Sequence, residues 1–128
     1  MKYLIISDIH SNLQALQKVL ELEENNVDQI ICLGDVVGYN ANPVECVKII
    51  RSHPKVRHVV QGNHDEYSAD VSTMSRSLSG QASIGIMYSD SQLSDEDKQW
   101  LKGLPLEKVV DDSEAAMRRR GKNVDRKY

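Results

Sequence analysis

KVRHVVQGNHDE, residues 55–66, starts as an apolar, β-branched run and ends with an amide, an imidazole and a carboxylate side by side. VRHVVQG has the composition of a short strand. Asn63, His64 and Asp65 follow directly past its end. All three are residue types that hold metals or phosphates, and none gains from burial on its own.

Working outward toward the N-terminus, the same arrangement occurs twice more. KYLIIS (2–7) reads as a strand and leads into SDIHSN, which presents Asp8 and His10. DQIICLG (28–34) reads as a second strand, continuous in its apolar residues as strands of a buried parallel sheet are. It leads into GDVVG and presents Asp35. Between the strands the period changes to that of a helix. In SNLQALQKVLELEE, Leu13, Leu16, Val19 and Leu20 share one face, with Ser11 or Asn12 as the cap. In NPVECVKIIRS, Asn42 fits the cap position, Pro43 the first turn, and Pro54 ends the segment. The order βαβαβ implies parallel strands joined by right-handed crossovers. All three polar clusters then fall on one edge of the sheet, at the carboxyl ends of its strands, where open α/β sheets bind ligands.

The chemistry of the converging set is coherent. Asp8, His10, Asp35 and Asn63 offer oxygen and imidazole donors without thiolate, which selects divalent ions such as manganese, iron or zinc over soft metals. A carboxylate such as that of Asp35 can bridge two ions, and two ions about 3.5–4 Å apart can clamp a phosphate. Each piece alone is ordinary: Asp-x-His after a strand is more often a cap, and Gly-Asp is a common turn. The conjunction of three clusters at three strand ends is what carries the reading. His53 and His58 have no such context and read as structural.

Beyond residue 66 the signals weaken. Residues 66–82 are rich in Ser and Gly and read as a loop or short irregular helix. ASIGIMYSDSQ (82–92) fits a helix that Gly85 weakens. SDEDKQWLKGL (94–104) is a clearer helix, with Ser94 and Asp97 in a capping-box arrangement, and LEKVV (106–110) begins another strand. DDSEAAMRRRGKNVDRKY (111–128) holds six Arg and Lys and almost no large apolar residue. It reads as a solvated tail, or in a sharper reading as a basic contact patch.

The totals bound the alternatives. The chain has 128 residues and a net charge of −3, so as a whole it makes no case for nucleic-acid or membrane-surface binding. No apolar stretch approaches the ~20 residues of a membrane span, and the N-terminus lacks the features of a signal peptide. Cys32 and Cys46 lie in apolar surroundings and read as core thiols, which suits a reducing cytosol. A cytoplasmic location is expected.

SDIHSN, GDVVGYNANPVECV and GNHDE together resemble the signature blocks of calcineurin-like metallophosphoesterases, closest to the small prokaryotic branch related to diadenosine tetraphosphatases. QLSDEDKQWLKGLP (92–105) extends the likeness, giving a phosphoesterase-like domain over 1–108 and a divergent basic tail over 109–128. The resemblance implies an α/β fold, the βαβαβ half of an αββα sandwich whose second sheet is missing or truncated. It implies metal ligation by Asp8, His10, Asp35 and Asn63, with Asp35 bridging two ions. Manganese is the first expectation, with iron, zinc, nickel or magnesium as alternatives. His64 would protonate or stabilise the leaving oxygen of a phosphoester substrate, and Asp65 would orient His64. Departures are Asn40 and Gln61, where Gly and Arg are usual. The later histidine blocks of the family are absent: the four histidines end at His64. Two outcomes are therefore expected to compete. One is a phosphodiesterase or phosphatase whose site is completed by another copy, another chain, or water. The other is a weak or inactive remnant that binds metal or phosphate, or self-associates through an exposed sheet face or edge. A nucleic-acid role for the tail is the least expected.

Overall fold

The structure is a computed structural model and describes residues 1–110 and the backbone of 115–118. Three strands, β1 (Tyr3–Ile6), β2 (Gln29–Cys32) and β3 (Val56–Val59), alternate with helices α1 (Leu13–Glu23) and α2 (Pro43–Ser52). The strands form one parallel sheet in the order β1-β2-β3. The βαβαβ expectation holds because each apolar run supplies a side of one core. Ile30 and Cys32 of β2 meet Leu16 and Leu20 of α1 and Cys46, Val47 and Ile50 of α2, all buried. Both cysteines belong to this core, and burial pushes each thiol up to about 12, so they behave as small hydrophobes.

After β3 come α3 (Asn63–Ala69), α4 (Gly80–Gln92) and α5 (Asp95–Lys102), then β4 (Glu107–Val110) and β5 (Ala115–Arg118). Among the helix starts, Asn12 caps α1 by accepting from the Ala15 amide at 3.0 Å, and Ser94 caps α5 by accepting from Asp97 at 3.1 Å. Asn42 occupies the cap position of α2, but its amide donates to Glu45 at 2.6 Å instead of accepting from the helix.

Three features add to the sequence reading. GNHDE leads into a helix: Asn63 starts α3, a polar helix whose sequence NHDEYSA has no apolar periodicity to reveal it. α4 is helical for thirteen residues despite Gly85. There the missing side chain is what allows docking, because a Cβ at residue 85 would collide with the backbone N of Tyr39. Finally, a second sheet is present in part. β4 and β5 pair antiparallel, with Val110 opposite Ala115, so part of the segment read as tail is strand. Val110 joins Ile31 and Val60 in a small cluster on the sheet face opposite α1 and α2. The basic residues from Arg119 onward lie outside the described residues.

Candidate active site

The loop after β1 places Asp8, His10 and Ser11 at φ of 58°, 48° and 58°, and the loop after β2 places Asp35 and Tyr39 at 57° and 58°. Left-handed backbone at non-glycine residues costs energy and gathers at functional sites. Here it turns Asp8, His10 and Asp35 toward one point: a ligand atom from each lies within 4.8 Å of the others. Asp8 and His10 are half-buried and Asp35 is buried. The loops are locked together by backbone bonds, His10 N–H to the Asp35 carbonyl at 2.9 Å and Ser11 N–H to that of Val36 at 2.8 Å.

The hydrogen bonds fix what the His10 ring can do. Its Nδ1 lies 3.0 Å from the Val37 carbonyl, which only accepts, so Nδ1 carries a proton. In the neutral ring Nε2 then holds a lone pair. That lone pair faces the Asp8 carboxylate, 3.3 Å from Oδ1. Two electron-rich atoms at this distance call for a positive charge at Nε2, supplied by a proton or by a cation close by. Buried Asp35 adds a second carboxylate. Its pKa is pushed above the ordinary carboxylate range, chiefly by burial, and drawn back partly by the His64 amide, which donates to Oδ1 at 3.0 Å. A cation would relieve this desolvation directly. The donor set fits a hard or borderline divalent ion.

Asp65 is bonded to the backbone around it. The carboxylate is fully buried and accepts from four backbone amides: Asp35 at 2.8 Å and Gly62 at 2.9 Å through Oδ2, Val36 at 2.8 Å and Val37 at 3.3 Å through Oδ1. Burial raises its pKa to about 7, and the amides of Gly62, Val37 and Asp35 pull against that rise. Asp65 is thus the staple that ties the β2 loop to the start of α3. Gly62 in turn leaves room for Asp35, whose Oδ1 a Cβ at residue 62 would strike.

His64 is buried at the second position of α3, and Asn63 stands half-buried at the first. Burial lowers the basicity of the His64 ring, and nearby Asp35 partly restores it. Its Nδ1 is buried without a hydrogen-bond partner. Rings surround it instead: His10 at 4.8 Å between centroids, and Tyr39 stacked at 4.9 Å with 24° between planes. Sequence reasoning missed Tyr39, and also Asn40, whose side chain donates to the His10 carbonyl at 2.8 Å. The available signal was their place in the loop that carries Asp35. His53 and His58 stay away from the cluster, His53 pairing with Glu24 at 2.9 Å and His58 lying on β3.

The family model for calcineurin-like phosphoesterases matches residues 1–124. The chain belongs to that family. Calcineurin-like phosphoesterases work with divalent metals, and Asp8, His10 and Asp35 form a ligand group suited to one. Among curated relatives, an uncharacterized protein of Methanocaldococcus jannaschii is 40% identical over 103 residues, 80% of this chain and 41% of that protein. A symmetrical bis(5'-nucleosyl)-tetraphosphatase of Psychromonas ingrahamii is 35% identical over 63 residues, 48% of this chain and 23% of the enzyme. The crystal structure of a metallophosphoesterase from Sphaerobacter thermophilus superposes with a TM-score of 0.69 at 37% identity, over 86% of this chain and 43% of that one. The chain thus spans less than half the length of each of these relatives. No helix among the described residues is long and apolar enough to cross a membrane.

Proposed function

We propose that the chain carries the divalent-metal half of a phosphoester hydrolase centre, acting on a phosphodiester or phosphomonoester. The observation that supports this most directly is the pairing of His10 Nε2 with Asp8 Oδ1 at 3.3 Å, with Nδ1 already committed to Val37 and buried Asp35 alongside. Asp8, His10 and Asp35 would hold the ion, with Asn63 as the further donor from α3. A bound divalent ion supplies Lewis acidity toward phosphoryl oxygen and makes an attacking water more acidic. His64 would then give a proton to the leaving oxygen, or hydrogen-bond the phosphoryl group, from a ring held rigidly beside Asp35. Manganese is the first metal to try. The tetraphosphatase relative supports phosphorylated nucleotides as the first compounds to screen.

A second reading has its own support. Only two of the four histidines, His10 and His64, reach the cluster. With so few imidazoles the centre could bind metal and turn over slowly unless another chain completes it.

The test is hydrolysis of bis-p-nitrophenyl phosphate with added Mn²⁺, beside Asp35→Asn, together with metal content by elemental analysis. Turnover and metal that both disappear in the variant are expected. Metal binding that Asp35→Asn leaves unchanged would remove Asp35 from the site. Metal binding without turnover in the unaltered chain would favour the second reading.

A further inference from the structure

We infer that Tyr39 is the positioning residue for His64, a ring clamp that takes the place of the hydrogen bond a working histidine ordinarily makes through its second nitrogen. The inference rests on the proposed role of His64 in phosphoester hydrolysis. Histidines that transfer protons or bind metals are usually aimed by a carboxylate or carbonyl on the far nitrogen. His64 has no such partner. Its Nδ1 is buried and unpaired, and both oxygens of the neighbouring Asp65 accept from loop amides. What fixes the ring is contact on its faces and edges: the stacked ring of Tyr39, the ring of His10, and the α-carbon of Gly38, where an added Cβ would stand 2.5 Å from Nδ1.

Several unrelated features put Tyr39 in this place. Gly38 and Tyr39 are both left-handed, at φ of 90° and 58°, which swings the tyrosine over the imidazole. The Gly38 amide donates to Ser89 Oγ of α4 at 3.1 Å. Gly85, one turn earlier on α4, leaves room for the Tyr39 backbone that any side chain would take. A half-exposed tyrosine would not ordinarily need a strained backbone, a helix glycine and a buried serine bond to hold it. The stacked ring, and not the hydroxyl, is the working part, since stacking is a property of the π face.

Tyr39→Leu and Tyr39→Phe test this in the full chain. The first readout is the His64 ring resonance by NMR, and the second is kcat and KM for bis-p-nitrophenyl phosphate with bound metal measured. In Tyr39→Leu the His64 ring signal should lose its ring-current shift. kcat should fall by about ten- to a hundredfold, the scale of a small misplacement of a reacting group, with KM and metal content unchanged. Tyr39→Phe should restore both. Gly85→Ala, which pushes on Tyr39 from the helix side, should move the same His64 signal. A His64 signal that stays put in Tyr39→Leu overturns the clamp. So does a rise in KM at constant kcat, which would make Tyr39 a substrate contact. If the unaltered chain hydrolyses nothing, the hydrolase reading of the isolated chain fails, and the NMR arm still decides the clamp.

Discussion

Two regions of this molecule are built to opposite standards. At the carboxyl edge of the first sheet, polar groups are buried and tightly bonded: Asp65 alone takes four amides, and five non-glycine residues hold left-handed backbone. Along the flank of β1 the opposite holds. There an open groove of about 670 Å³ runs between β1 and α1, walled by Leu4, Ile6, Ala15 and Leu16 and reaching Asp8, His10 and Tyr39 at its end, and Ile5 is 60% exposed. Among the described residues β1 pairs with β2 only. The difference shows where specificity of structure has been concentrated. The edge must hold charged side chains at set distances, so its backbone is over-determined. Away from Asp8 and His10 the flank is walled by apolar side chains, and its surface there is of the kind that associates.

Substitutions at the two regions should therefore differ steeply in cost. The largest effect is expected from Asp65→Ala. It leaves four buried amides without an acceptor, at about 1–3 kcal/mol each, a large share of the roughly 5–15 kcal/mol that holds a domain together. Urea unfolding should show loss of more than about 3 kcal/mol or of the folded state altogether, and a loss under about 1 kcal/mol would contradict the staple. Asp35→Asn should act on binding and not on folding. Metal affinity should drop by more than the roughly 10- to 100-fold seen when an outer partner of a ligand is lost, while the metal-free chain keeps its stability, because a buried charge has been removed. Calorimetric titration with Mn²⁺ checks the first part and urea unfolding the second.

On the flank, Ile5→Lys should change stability by no more than about 0.5 kcal/mol, as exposed sites usually do. If the groove drives self-association, the same change should shift light scattering toward the monomer, and association that persists would place it elsewhere. The smallest effect concerns His58 on β3. Burial first, then Lys108 and Arg57, hold its imidazole below the ordinary value. The folded chain thus prefers the neutral ring. The associated stability is complete above about pH 6.5 and declines as pH falls below it, because the unfolded chain takes up the proton first. His58→Gln should flatten that slight slope in pH-dependent melting.

How far the sequence disclosed all this follows the same division. β1 to β3, α1 and α2 were legible because their apolar residues follow the period of the element they form. Asp8, His10 and Asp35 were legible because three strand ends each carried one polar cluster. α3 was hidden, since NHDEYSA gains its order from Asp65 accepting the Gly62 amide and from packing beside α5, not from amphipathic spacing. The work of Asp65 was hidden for a similar reason: nothing local marks a carboxylate whose partners are amides some thirty residues earlier. Tyr39 was invisible as a functional residue because its meaning depends on a left-handed backbone and on a glycine in α4, and neither leaves a pattern in the chain. α4 was legible as a helix over 82–92, a reading that the same glycine weakened.

The Asp65 staple also sets an order of events while the chain is being made. Asp8, His10 and Asp35 are all synthesised before Asp65, and domains begin to fold as they emerge. Until Asp65 appears, the Asp35, Val36 and Val37 amides lack their acceptor, and the turn that aims Asp35 has little to hold it. The ligands are thus available early but unarranged. A nascent chain that stalls before residue 65 would display carboxylates and an imidazole without a fixed geometry, and the ribosome's own direction of travel delays assembly of the centre until the third strand has been delivered.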